Sequence, residues 1–205
     1  MTATRAGTKA RIVRAALETL KQDGFAGASA RAIARRGGFN QALVFYHFGS
    51  VRDLLMAALD HTSGGRMEAY RAAVEGIDSV PQLINVALDM YREDLASGHI
   101  TVLSEMIAGG LTNPELAAKI VARVDPWIDF TEETIAAAID GSPLEGLMPP
   151  RELAFAVVAF YLGIDLLTHL DSQGRTPESL FQRFALIVSG YTETVPPNPK
   201  SLETR

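Results

Sequence analysis

Between Ser29 and Ser50 the chain holds two short helix-like segments, Ser29 to about Arg36 and Gln41 to about Phe48, divided by Gly37, Gly38 and Phe39. Isolated helices of roughly two turns are marginal in water, so both must be held by packing against longer elements. The stretch "FNQALVFYHFGS" (residues 39–50) indicates how. Val44 and Phe48 stand one helical turn apart and, with Phe39 and Ile33, can seal against Leu17, Leu20 and Leu54. That leaves Gln41, Ala42, Leu43 and Tyr46 facing outward, while Phe45 and Phe48 read as core.

The flanking residues punctuate this arrangement. A first helix is expected from Thr8 to Gln22, with Ile12, Ala16, Leu17 and Leu20 on one face. Asp23-Gly24 ends it, and Phe25 is expected to fold back onto that face. Ser29 is a cap for the second helix and Gly37-Gly38 its stop. Asn40 can cap the third, and Ser50 starts a fourth in which Asp53 completes a capping box. The fourth helix is expected to continue past Gly64-Gly65 to Glu75. Five further helices are expected near 79–97, 101–110, 113–139, 149–170 and 176–192, with Pro126 kinking or dividing the third of these. No stretch reads as a β-sheet.

The net charge of −5 is unevenly placed. Residues 1–52 hold nine Lys or Arg against Glu18 and Asp23, net +7, whereas the other 153 residues hold ten bases and 22 acids, net −12. Blocks of opposite sign indicate either two modules, the first with a polyanionic partner, or simply a solvated basic face. A short helix that presents Asn, Gln and small residues at its start, on a basic segment, matches the recognition helix of a helix-turn-helix. Gln can make two hydrogen bonds to an adenine edge, and small apolar side chains can meet a thymine methyl.

Other classes are disfavoured. With no cysteine, a disulfide scaffold, a zinc finger and a thiol nucleophile are excluded. The four histidines (His47, His61, His99, His169) are scattered, and neither a P-loop nor GxGxxG occurs, so an all-helical enzyme is a distant reading and no metal or cofactor is expected. The N-terminus lacks an apolar signal core, and the run Leu153–Ile164 is too short to span a bilayer, which points to a cytoplasmic protein without a membrane partner.

Residues 8–55, "TKARIVRAALETLKQDGFAGASARAIARRGGFNQALVFYHFGSVRDLL", resemble the DNA-binding domain of the tetracycline-repressor (TetR) family of transcriptional regulators. The shared pattern is an opening amphipathic helix, Gly-Phe, a Ser-led second helix with Ile-Ala, a Gly turn, and a recognition helix closing on aromatics, His, Phe and Ser. The resemblance implies an all-α fold. A three-helix helix-turn-helix DNA-binding domain would occupy 1–52, a larger helical effector-binding and dimerisation domain 53–195, and a flexible tail 196–205. It makes Arg31, Gln41, Ala42 and Leu43 candidates for base contact, and Ser29, Tyr46, His47 and Arg52 candidates for phosphate contact. Taken alone, His47 reads as a packed or capping residue. Two positions depart from the pattern: Phe45 stands where the family often has Tyr, and Val51 where it often has Lys.

The resemblance further implies a homodimer on a palindromic operator, released by a small-molecule effector; an activator or a ligand-independent regulator would use the same fold. The helix near 149–170 is apolar nearly all round, and the last helix carries Leu180, Phe181, Phe184, Ile187 and Val188 at helical spacing. With Phe160 these are the candidate dimer residues, a buried monomer core being the alternative. An effector pocket among residues 79–170 would take its lining from Met90, Tyr91, Met106 and Trp127, with Phe130, Phe160 and Tyr161 beside them. Asp94, Glu105, Asp165 and His169 are the candidate polar anchors. Asp165 and His169, one turn apart, either orient a ligand or satisfy each other at a dimer interface.

Overall fold

The computed structural model describes residues 2–170 and 177–195, and the side chains of 6–164, 166, 167 and 179–195 among them. The described residues form an all-helical chain: α1 (Thr2–Gly27), α2 (Ala30–Gly37), α3 (Ala42–Phe48), α4 (Val51–Ser63), α5 (Arg66–Val74), α6 (Val80–Ser97), α7 (His99–Gly110), α8 (Pro114–Ile139), α9 (Pro150–Leu170) and α10 (Pro177–Thr194). Among them no single helix is long and apolar enough to cross a membrane.

The chain divides into two compact units. One comprises the residues up to Arg66 together with Ser97–Ala122; the other comprises Met67–Ala96 together with the residues from Arg123 onward. The first therefore includes α7 and the opening of α8 as well as the helix-turn-helix segment.

In the first unit α1 packs on α2, α4 and α7, and α4 packs on α3 and α7. Ile12, Ala16 and Leu20 of α1 are buried with Ile33 of α2, Val44 of α3, Leu54 and Leu59 of α4, and Met106 of α7. The expected helix stop at Asp23-Gly24 is a sharp break inside α1, where Gly24 takes φ 68°, a left-handed value suited to glycine. The break frees the Phe25 N–H, which donates to Glu105 Oε2 at 2.8 Å. Phe25 packs against α7: a Cβ on Gly109 would lie 2.5 Å from its ring. At the start of α7, Lys21 Nζ donates to the Ser97 carbonyl at 2.9 Å, capping the end of α6.

One expectation about helix continuity is corrected and another is narrowed. The fourth helix does not run through Gly64-Gly65: α4 ends at Ser63, Gly65 takes φ 75°, and α5 begins at Arg66. Conversely, Pro126 does not divide α8, which runs from Pro114 to Ile139.

The second unit is organised by aromatic rings. Tyr91 meets Tyr161 edge-on with centroids 5.4 Å apart and lies 5.7 Å from Phe181; Phe160 meets Phe184 at 5.2 Å. Tyr70 meets Trp127 at 5.5 Å. Charged side chains tie the outside, with Arg71 3.1 Å from Glu133 and Arg151 bridging Asp129 and Glu132.

Candidate nucleic-acid interface

The second and third helices are built by their caps. Ser29 has extended backbone, and its Oγ accepts from the Ala32 N–H at 3.2 Å. Gly38 ends α2 in the left-handed conformation, φ 65°. Gly37 is needed for a different reason: a Cβ there would fall 2.2 Å from the Phe39 ring and 2.9 Å from the Ala15 side chain, so the turn can close on α1 only with a glycine. Asn40 Oδ1 accepts from the Ala42 N–H at 2.9 Å, holding the first turn of α3. Ser50 Oγ accepts from the Asp53 N–H at 3.0 Å and donates to Asp53 Oδ2 at 2.7 Å. That hydroxyl, followed by the Lys119 ammonium 3.0 Å from Oδ1, lowers the pKa of the Asp53 carboxyl from its ordinary value.

The faces of α3 separate cleanly. Val44 is fully buried and fixes the helix to the unit, with Phe39 and Phe48 half-buried beside it. Lys9 Nζ lies 5.8 Å from the centre of the Phe48 ring, and the Arg11 guanidinium 5.7 Å from that of Phe39. Gln41, Ala42 and Tyr46 are exposed, Tyr46 at 69%, and Leu43 is half-buried. Phe45 corrects the expectation of a core ring, since 52% of it is exposed. A seven-residue helix showing two adjacent aromatic rings to solvent presents more apolar surface than its own unit can cover.

The remaining candidates fall around this helix. Ser29 and Arg31 are exposed at the start of α2. Arg52 is exposed and lies 3.9 Å from Glu115, so its charge is shared with an acid of α8. His47 is half-buried, with its Nδ1 enclosed and without a hydrogen-bond partner, and its ring lies edge-on to Tyr46 at 4.9 Å. Arg36, which the sequence does not separate from its basic neighbours, is a clamp between α1 and α2: it donates to Thr19 Oγ1 at 3.1 Å, to Gln22, and to Asp23 at 2.9 Å.

Residues 12–58 match the family described as bacterial regulatory proteins, tetR family. The match is confined to the helix-turn-helix segment, and over that segment the chain is similar to TetR-family regulators. It is 28% identical over 113 residues to the HTH-type transcriptional regulator UidR of Escherichia coli (strain K12), a match covering 55% of this chain and 57% of UidR. The chain thus spans just over half the length of that relative. An uncharacterized HTH-type transcriptional regulator of Mycobacterium tuberculosis (strain H37Rv) is 28% identical over 171 residues, covering 73% of this chain and 88% of the relative. The solved structure of a TetR-family transcriptional regulator from Cytophaga hutchinsonii shares the fold with a TM-score of 0.71 at 18% identity, covering 91% of this chain and 96% of that one.

The candidate effector residues are divided between the two units. Glu105 and Met106 belong to the first, where Glu105 holds the Phe25 N–H and Met106 is fully buried. Met90, Tyr91, Asp94, Trp127, Phe130, Phe160 and Tyr161 belong to the second. There Asp94 is 3% exposed and accepts from the Tyr161 hydroxyl at 2.6 Å, beside the Tyr91 ring. Trp127 meets Tyr70, and Phe130 lies under the Arg71 guanidinium at 5.4 Å. The side chains of Asp165 and His169 lie outside the described residues. An open cleft of about 500 Å³ lies elsewhere, between the end of α8 and the start of α9, lined by Ile139, Asp140, Met148 and Pro149. None of the sequence-derived pocket candidates lines it.

The candidate dimer residues differ in burial. Phe181 is buried within its own unit against Tyr91, whereas Leu180, Phe184 and Ile187 are exposed, and Phe160 and Val188 are half-buried. Phe155, Leu166, Leu167 and Leu186 add exposed apolar surface on α9 and α10.

Proposed function

We propose that this protein is a cytoplasmic transcriptional regulator that binds double-stranded DNA as a homodimer and represses until a small-molecule effector releases it. The observation that carries the reading is α3: a short capped helix anchored by buried Val44, with Gln41, Ala42 and Tyr46 exposed on a segment of net charge +7. Gln41 offers the donor and acceptor that match an adenine edge, and Tyr46 a hydroxyl for a backbone phosphate. Arg31 and Leu43 flank that face as further base contacts, while Ser29, His47 and Arg52 serve the backbone. A single seven-residue helix reads few bases, and two copies on successive major grooves read a palindrome. The exposed apolar rings and aliphatics of α9 and α10 supply a self-complementary surface for the second copy.

The effector is placed in the second unit, around Tyr91, Asp94, Phe160 and Tyr161, where a buried carboxylate stands among aromatic rings. Binding there would favour a state whose two recognition helices no longer match grooves one turn apart. The test is a gel-shift titration on DNA selected from a random pool. Gln41→Ala combined with Tyr46→Ala should abolish binding while the purified protein keeps its dimeric mass. Unchanged affinity would overturn the assignment of α3 as the reading helix.

A further inference from the structure

Resting on the DNA-binding reading above, we propose that Phe45 reads a thymine methyl group beside the base pair met by Gln41, making each operator half-site selective for thymine there. Gln41, the residue that caps α3, and Phe45 stand one turn apart and so share a face, with Ala42 next to Gln41 in the first turn. All three are exposed, as is Tyr46, so the ring belongs to the outward surface and not to the core that Val44 and Ile33 form. The chemistry of the ring then limits its partner. Phe45 carries no donor or acceptor and can bond neither a phosphate oxygen nor a base edge. In the major groove the 5-methyl of thymine is the apolar group that base pairs present, and a phenyl ring is a suitable neighbour for it. A ring half open to water in the free protein gains by covering that methyl, which Tyr46, with its hydroxyl, need not do.

The inference is tested by removing the methyl from the DNA rather than the ring from the protein. A duplex is first selected from random sequence by the wild-type protein, and each thymine is then replaced in turn by uracil, which keeps every hydrogen bond and loses only the methyl. One thymine position per half-site should show a loss of about fourfold, and about fifteenfold when both half-sites carry uracil, from the burial of one methyl-sized group each. In Phe45→Ala, whose substitution lies at an exposed position and should leave the circular dichroism spectrum unchanged, that position should become indifferent to uracil while other positions keep their response. Equal affinity for all uracil duplexes, or the same uracil response in Phe45→Ala as in wild type, would overturn the inference and leave the regulator reading standing. Failure of the wild-type protein to enrich any duplex would overturn the regulator reading itself, and this inference with it.

Discussion

Val44 is the one side chain that α3 buries completely, so Val44→Ala tests whether the recognition helix is held by packing rather than by its own propensity. The substitution removes the equivalent of two buried methylene groups, about 1.6 kcal/mol at ~0.8 kcal/mol each. The cavity left behind raises this to about 2–3 kcal/mol, because surrounding helices relax only partly. A helix of seven residues has little intrinsic stability to offset such a loss. The cost should therefore fall on the docking of α3, not on the whole unit. Amide exchange reads this directly: the Val44 N–H bonds the Gln41 carbonyl at 3.0 Å and the Gly49 N–H bonds the Phe45 carbonyl at 2.9 Å. Both should exchange about thirtyfold faster, the equivalent of roughly 2 kcal/mol, while amides in the middle of α1 change far less. Exchange rates within about threefold of wild type at both amides, which is roughly 0.6 kcal/mol, would refute the claim that Val44 holds the helix in place.

Three further outcomes are expected. Glu105→Ala should destabilise the protein by about 1–2 kcal/mol in urea denaturation, because it strands the Phe25 N–H at the break in α1; Glu105→Gln, which keeps an acceptor, should recover most of that. The lowered pKa of Asp53 makes its contribution to the α4 cap present above the ordinary carboxyl value of 3.8 and lost as pH falls through the lower folded value. An NMR titration of the Asp53 carboxyl should show this depression, and Ser50→Ala should shrink it, since the Ser50 hydroxyl is its largest cause. Ile187→Asp, on the exposed face of α10, should shift sedimentation from dimer to monomer without altering helical content, since a charge there opposes apolar contact between copies.

The short helix α3 was legible in the sequence because its determinants are local. Ser29, Gly38, Asn40 and Ser50 act within a few residues of where they stand, and each does in the structure what its position indicates. The break at Gly65 was hidden because a Gly-Gly pair can either be carried within a helix or end it, and here a positive φ ends it. The bond that Glu105 makes was hidden for a different reason. Its partner, the Phe25 N–H, lies far away in sequence, and no spacing rule distinguishes a carboxylate awaiting a ligand from one capping a distant backbone. Phe45 escaped because an aromatic among Val and Phe is counted as core by composition, while its position on the helix puts it with Gln41. The cleft near Met148 and Pro149 is formed by an irregular connection, whose shape periodicity does not report.

The cap that Lys21 places on Ser97 and the clamp that Arg36 makes across α1 and α2 also change what the basic segment can do electrostatically. Among the described residues Lys21, Arg36 and Arg52 of this segment already have partners within the protein, and a cation neutralised by an acid, as Arg36 is by Asp23, displaces fewer counterions from a nucleic acid. Each protein cation that meets a phosphate steepens the ionic-strength dependence of binding by about 0.9 in the logarithmic slope. The number of cations in the segment therefore overstates that dependence. In this chain some of the positive charge that looks like an instrument of attraction is an instrument of shape.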